Sequence, residues 1–317
     1  MTAQEHLRLN AERQFLKAQI SELPETAKLT RSSFESRLRQ VELLLSDSSV
    51  VEREPAAVRL TFSGRPVVGS HGIFSEFGMK AVNSFTEAVA AVAASLTAPL
   101  AAMGPIPNRL QNQMLITGTA LGSFGFELEE AYGPQLTESS IVSIAIERTQ
   151  SLLRVSSTAD DEGLADIASE LDQRAIDKIR SFVGVLEENG AVCTLQHDDS
   201  VFRFQTLSQV SASLARLSHD NLHEREVELY GEFQGVIPQR RAFQFLRHDT
   251  KEILLGKVGP SIIDANSLNK LLYTGVTVRI NETRVGNGKP RNLLVKVISN
   301  SDPLEEISQT PPTLLLR

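Results

Sequence analysis

Two short glycine phrases are the most chemically suggestive pattern in the sequence. Glycine allows backbone conformations with positive φ and lets backbone N–H groups come close to a ligand. When a glycine turn joins a strand to a helix, those N–H groups can point at an anion such as a phosphate. The sequence therefore predicts a candidate ligand corner, made of Gly69, Ser70, His71 and Gly72 in the first phrase and Gly122, Ser123 and Gly125 in the second.

The surroundings of the first phrase favour a structural role for its glycines. Residues 69–72 lack both the lysine of the GxxxxGK[ST] motif and the spacing of GxGxxG, which usually accompany phosphate binding. Glycine in or beside a strand also marks a tight turn or the close approach of another backbone. A nucleotide- or phosphate-binding enzyme or sensor that uses this corner is therefore the alternative hypothesis.

Other residues that could do chemistry do not form a complete set. Ser70 and His71 are neighbours and would point to opposite sides of a strand. His219 and His223 share one face if they lie on a helix, but no third, distant metal ligand can be identified. Residues 197–199, His-Asp-Asp, resemble a carboxylate-rich metal corner but also have the composition of a polar hairpin turn, which is the favoured interpretation. We therefore predict no catalytic residue, no metal and no cofactor.

The last third of the chain contains residues typical of nucleic-acid binding. Residues 220–300 contain 12 Lys and Arg against 9 Asp and Glu, whereas the whole chain has a net charge of −7. Basic grooves that also carry aromatic stacking platforms bind single-stranded nucleic acids. The predicted partner-binding set consists of Arg240, Arg241, Phe243, Arg247, Lys257, Arg279, Arg284, Lys289 and Arg291.

Phe243 and Phe245 in this region could belong to a hydrophobic core instead of a binding surface. Arg241, Phe243, Phe245 and Arg247 alternate, so they would share one face of a strand. A small barrel would bury the two phenylalanines, with their neighbours outside, and this core interpretation is the favoured one. The turn at residues 286–290 is a common place for contacts on such barrels, and it also fits a plain hairpin loop.

Five strand-like segments would position these residues. They cover residues 227–235, 243–245, 253–258, 276–280 and 293–297, with a helical stretch at 267–272 between the third and the fourth. This order resembles that of an OB-type barrel, and an SH3-like barrel looks similar from sequence. The sequence therefore predicts a small five-stranded β-barrel.

Two helical patterns precede the strand-rich regions. Apolar residues recur at heptad-like spacing in the first 45 residues, at Leu9, Leu16, Ile20 and Leu23 and then at Phe34, Leu38, Val41 and Leu45. We expect a helical hairpin, which either self-associates or folds onto the rest of the chain.

The centre of the chain mixes strands and helices. A long helix is predicted from Phe74 to Leu96, between two hairpin-like units. The expected fold class is α+β. We predict a helical hairpin at residues 1–50, an α+β domain at 51–220, the barrel at 221–300 and a tail at 301–317.

Composition narrows the cellular setting. Cys193 is the only cysteine among 317 residues, so an intramolecular disulfide is excluded. The one uncharged stretch of membrane length, at residues 88–108, is broken by Pro99, Pro105 and Pro107. We expect a cytoplasmic protein without membrane insertion.

These patterns together predict a non-catalytic interaction or sensor protein. It would form a homo-oligomer and bind a nucleic acid, or a protein partner encoded nearby, through its C-terminal barrel. A further hypothesis, for which no residue argues, is membership of a bacterial multi-gene system such as anti-phage defence.

Overall fold

The α+β class and the five strands of the last third are confirmed in the computed structural model, which describes residues 3–24, 27–46, 55–101, 103–120, 124–131 and 140–299. The helices are α1 (Ala3–Glu22), α2 (Lys28–Ser46), α3 (Ser75–Thr97), α4 (Ile141–Ser156), α5 (Asp161–Ser169), α6 (Gln173–Glu188) and α7 (Leu207–Arg216). The strands are β1 (Ala57–Gly64), β2 (Val67–Val68), β3 (Gly72–Ile73), β4 (Met114–Ala120), β5 (Gly125–Glu130), β6 (Ala191–His197), β7 (Ser200–Arg203), β8 (Leu222–Ile237), β9 (Ala242–Arg247), β10 (Ile253–Val258), β11 (Gly275–Val285) and β12 (Arg291–Ser299).

Helices α1 and α2 pack against each other as a hairpin with its own small core. Leu16, Val41 and Leu45 are buried between them, at the heptad-like positions of the sequence. Arg37 of α2 donates to Glu12 of α1 at 2.6 Å, which adds a surface ion pair across the hairpin. Among the described residues, no helix is both long and apolar enough to cross a membrane.

The central sheet has the strand order β4-β5-β1-β6-β7. Its middle strand, β1, is antiparallel to both neighbours, with Leu60 opposite Phe126 on β5 and Leu195 on β6. Alternate residues of β1 therefore face the core, and Leu60 is completely buried. Cys193 on β6 is also buried, and this burial raises the pKa of its thiol. The thiol is an inert core group.

Helix α3 supplies much of the central core. Phe77 and Phe85 lie on its apolar stripe, and Phe85 meets Phe182 of α6 edge to face, with 5.5 Å between the ring centroids. Phe77 meets Phe62 of β1 in the same manner at 5.2 Å. The stripe thus joins the sheet to α6 through aromatic pairs, which stabilise a core beyond simple area burial.

The five C-terminal strands form a sheet that closes on itself in the order β10-β12-β11-β8-β9. The β10–β12 pair is parallel, and the other four pairs are antiparallel. Phe233, Phe243 and Phe245 are buried inside, and the 3-10 turn Ala265–Leu271 contributes the buried Leu268. The interior is therefore a second hydrophobic core.

The two larger cores meet at one end of the barrel. Leu222 at the start of β8 and Val285 at the end of β11 belong to the core of the central domain. Helix α5 packs on β11 and β12, and Asp166 of α5 accepts a hydrogen bond from Arg291. The barrel is therefore anchored to the helices beside it. The domain boundaries given above stay a prediction.

The two glycine phrases have different surroundings. Residues 69–71 form the exposed turn between β2 and β3, closed by the His71 N–H donating to the Val68 carbonyl at 3.0 Å. Gly125 is buried on β5, where a Cβ would overlap the carbonyl oxygen of Leu60. Gly122 and Ser123 lie outside the described residues, as do the predicted tail at 301–317 and residues 47–54 before β1.

The surroundings of Gly125 predict that Gly125→Ala destabilises the protein, by about 1–3 kcal/mol of unfolding free energy, because the added methyl group meets fixed backbone. Gly72→Ala is the matched control, since a Cβ there has nothing within 4 Å. Urea denaturation of the variants measures the difference. Equal urea midpoints for the two variants would contradict the close approach of the Leu60 backbone to Gly125.

Candidate functional site

An open groove of about 1100 Å³ runs between the barrel and helix α5. Strand β10 forms one wall, the turn between β11 and β12 forms an end, and Asp166 and Glu170 line the opposite side. The groove exists because α5 packs on β11 and β12 but not over β10. It is the candidate functional site of the chain.

Two aliphatic side chains of β10 are exposed in the groove. Ile253 is 60% exposed and Leu255 is 61% exposed. They are two residues apart, so they share the outer face of the strand, while Phe243 and Phe245 of the paired strand β9 face the core. An apolar patch on the outside of the barrel follows.

The backbone of β10 is also accessible beside this patch. Strand β10 pairs with β12 only at residues 256–258, so β12 does not reach Ile253. The Arg247 N–H donates to the Glu252 carbonyl, and the Val258 N–H donates to the Arg241 carbonyl. By the alternation of an antiparallel ladder, the N–H and C=O groups of Ile253 point away from β9 and toward the groove. The groove therefore combines apolar side chains with a short open strand edge.

The charges around the groove are balanced and largely paired. Four acidic and four basic residues line it: Asp166, Glu170, Glu252 and Glu282, and Arg247, Lys257, Lys289 and Arg291. Arg291 donates to Asp166, and Arg247 donates to Asp249, which lowers the pKa of that carboxyl group. Glu282 pairs with Arg225 at 2.8 Å. The groove has no strongly positive field.

The predicted partner-binding residues do not form one surface. Arg247, Lys257, Lys289 and Arg291 line the groove, whereas Phe243 is 2% exposed and lies in the barrel core. The stacking role considered for Phe243 therefore has no surface side chain to support it, and the core interpretation fits its position.

The other predicted basic residues lie elsewhere on the barrel. Arg279 pairs with Glu226 and Glu228 on β8. Arg240 and Arg284 are exposed and form no ion pair with a described residue. Lys257 and Lys289 of the groove also form no ion pair with a described residue, which makes four such cations in the predicted set besides Arg241. Affinity for a nucleic acid grows with the number of phosphates that are neutralised, so four cations on different parts of the barrel are a weak footprint for a polyanion.

Arg241 has a structural role. Its backbone is left-handed, with φ of 45°, and its guanidinium donates to the carbonyls of Val258, Gly259 and Ile262 at 2.6–3.0 Å. This side chain closes the loop that follows β10. Its donors are committed to the fold.

The described residues of the predicted ligand corner lie in two different environments. Gly69, Ser70 and His71 are exposed at the tip of a turn, and Gly125 is enclosed by β1. The segments that follow the two phrases approach the same end of α3. A Cβ on Gly78 of α3 would lie 3.3 Å from the side chain of Ile73 and 3.5 Å from the ring of Phe126. A ligand role for the corner stays a prediction.

Sequence reasoning missed Ile253, Leu255 and Asp166. The sequence did contain a signal for Ile253 and Leu255. Residues 253–255 are three consecutive aliphatic residues in a strand, and because side chains alternate, at least one of them must face outward. Asp166 carried no signal, since its partner Arg291 is 125 positions away.

A group of acidic residues lies where the barrel joins α6. Glu224 of β8 is exposed, yet partial desolvation by its neighbours is the main cause that raises the pKa of this carboxyl group. The nearby charges of Asp172, Asp177 and Glu226 raise its pKa further, against a lowering effect of the hydrogen bond from Asn281. His219 Nε2 lies 3.1 Å from an Asp177 carboxylate oxygen, in the turn after α7, whereas His223 is exposed on β8, so the two histidines do not share a helix face.

Exposed apolar residues also occur on the N-terminal hairpin. Phe15 and Leu43 are 59% and 70% exposed, and Leu29 and Leu44 are also exposed. Self-association through this hairpin stays a prediction.

Comparison of the chain with known protein families, curated proteins and solved structures finds no match. The inference of function therefore comes from the geometry of the chain alone.

The carbonyl contacts of Arg241 predict that Arg241→Ala lowers the free energy of unfolding by about 1–3 kcal/mol, because three partly buried carbonyls lose a charged donor. The neighbouring Arg240→Ala is the control and should have little effect, since that side chain is exposed. Chemical denaturation measures both. A variant at Arg241 as stable as the control would show that these contacts do not hold the loop.

The environment of Glu224 predicts a pH-dependent gain of stability in Glu224→Gln. A raised pKa means that protonated Glu224 stabilises the fold below its ordinary pKa of 4.5, and that this contribution is lost as the pH rises through the raised value. The variant should therefore be more stable than the wild type at neutral pH and equal to it in acid. Urea denaturation across this pH range, with Glu252→Gln as an exposed control, checks the sign; a pH-independent difference would contradict it.

Proposed function

We propose that this protein is a non-catalytic interaction protein that binds an extended segment of a partner protein in the groove between β10 and α5. The observation that carries the proposal is the exposure of Ile253 and Leu255 beside an open strand edge. A contiguous exposed apolar patch that is rimmed by polar residues marks an interaction site.

The topology of the barrel supports this location. We infer an OB-type barrel, since β8, β9 and β10 are neighbours in turn and β10 continues to β12, then β11, then back to β8. Barrels of this superfold bind ligands on the face of their second and third strands and on the loop between the last two. These elements correspond to β9, β10 and residues 286–290, and the groove lies against β10 and this loop. The topology indicates where a ligand binds, and the chemistry of the groove must say which ligand.

The chemistry favours a polypeptide over a nucleic acid. An extended peptide can pair with the free N–H and C=O groups of Ile253 and place an apolar side chain on Leu255. Charged residues of both signs at the rim suit a partner with a mixed sequence. Nucleic-acid binding would need exposed aromatic rings, and no aromatic residue is among the described residues that line the groove. Arg247 and Arg291 are paired, which leaves Lys257 and Lys289 as the cations of the groove.

The decisive variant is Leu255→Glu, which places a charge on the apolar patch without disturbing the core. Peptides selected from a random library on the wild-type protein should bind the variant about 10–100-fold more weakly, as expected when one large aliphatic contact is lost. Val201→Glu is the matched control, because Val201 is 53% exposed on β7, away from the groove. Fluorescence polarisation of the labelled peptides measures the three affinities.

Two outcomes would overturn the proposal. The first is selection of peptides that bind the wild type and Leu255→Glu equally well. In the second, no peptide is enriched, and a labelled oligothymidine binds the wild type in a salt-sensitive manner. If Leu255→Glu weakens that binding, the groove is a nucleic-acid site.

A further inference from the structure

A cluster of metal-ligating side chains lies in the central domain, away from the groove. Glu147 of α4, His197 at the end of β6 and Asp198 in the following turn place one ligand atom each within 4.8 Å of one another. His197 is buried, whereas Glu147 and Asp198 are exposed. The cluster is thus open to solvent on its carboxylate side and closed on its imidazole side.

The tautomer of His197 follows from its hydrogen bonds. Its Nδ1 lies 2.7 Å from the carbonyl oxygen of Ala57, which can only accept, so Nδ1 carries the proton and donates. In the neutral ring, Nε2 then has the free lone pair, which faces the Ser143 hydroxyl at 3.0 Å and the Asp198 carboxylate at 3.8 Å. A backbone carbonyl that holds the second ring nitrogen is the usual support of a metal-binding histidine.

The fold holds these residues in place independently of any ion. His197 is opposite Val58 in the β1–β6 ladder, which brings its ring to the Ala57 carbonyl. Ser143 and Glu147 are four residues apart on α4, so they share the helix face that meets the ring. Asp198 occupies a left-handed position in the turn, with φ of 48°. Helix α4 and the turn after β6 thus converge on Nε2, while β1 holds Nδ1.

We propose that His197, Glu147 and Asp198 bind a divalent transition-metal ion, for which Zn²⁺ is the best-suited species. One imidazole nitrogen and two carboxylate oxygens are accepted zinc ligands, with bonds of about 2.0–2.2 Å, and three protein ligands leave the fourth position to water. A tetrahedral site needs ligand atoms roughly 3.4 Å apart. The 3.8 Å between Nε2 and Asp198 must therefore shorten slightly, and the separations that involve Glu147, which are within 4.8 Å, must also close to this distance. The exposed carboxylates have room for this movement.

The nitrogen ligand and the small ligand number set the selectivity. Mg²⁺ and Ca²⁺ prefer oxygen ligands in larger shells, so they should bind weakly here. When an ion takes the lone pair of Nε2, the Ser143 hydroxyl loses its acceptor and can turn to a bound carboxylate or to the ion. The polar turn expected from residues 197–199 alone becomes a site because α4 adds Glu147.

The test uses the full chain and the isosteric variants Glu147→Gln and Asp198→Asn, which keep side-chain size and remove a charged ligand. Titration calorimetry with Zn²⁺ should give one ion per wild-type chain, and each variant should weaken binding at least tenfold. Asp199→Asn is the matched control, because Asp199 is exposed in the same turn and belongs to no such cluster among the described residues. It should bind Zn²⁺ as the wild type does, and Mg²⁺ should not compete.

Co²⁺ absorption provides a second readout that reports geometry. The wild-type protein should give the intense visible bands of a four-coordinate ion, and the two amide variants should not. Absence of stoichiometric Zn²⁺ binding would overturn the proposal. So would unchanged affinity in both amide variants, which would place the ion elsewhere, for instance at the exposed His219.

Discussion

Burial of three phenylalanine rings in the barrel fixes the direction in which each C-terminal strand faces. Phe233 meets Phe243 and Phe245 edge to face, with centroids 6.0 and 5.1 Å apart. Because side chains alternate along a strand, inward rings on β9 set the outward residues of its partner β10. Ile253 and Leu255 are consequently on the surface, and the groove acquires its apolar wall from the same constraint that builds the core.

Pairing of charges decides what kind of surface the barrel presents. The C-terminal strands have an excess of basic residues in sequence, but Arg247, Arg279 and Arg291 each lie beside a carboxylate. Exposed pairs of this kind contribute little to stability, but each carboxylate offsets the charge of the arginine beside it. The guanidinium of Arg241 is occupied differently, since it donates hydrogen bonds to three backbone carbonyls.

The groove and the His197 cluster follow one principle of assembly. In each, a strand end supplies the central group and a helix distant in sequence completes the site: α5 brings Asp166 to β12, and α4 brings Glu147 to β6. The strand partner fixes the backbone, and the helix determines which side chains converge. The two share no residue, since α5 and the barrel line the groove and α4 and β6 carry the cluster.

The sequence by itself determined the local structure. The apolar stripe of α3, the heptad-like positions Leu16 and Val41, and the alternation around Phe243 are all set by neighbours within a few residues, since a helix or strand needs only a periodic apolar face. Tertiary structure alone decided that Asp166 meets Arg291, that Gly125 lies against Leu60 and that Glu147 joins His197. These contacts join residues far apart along the chain, and local periodicity carries no information about which distant surfaces pack together.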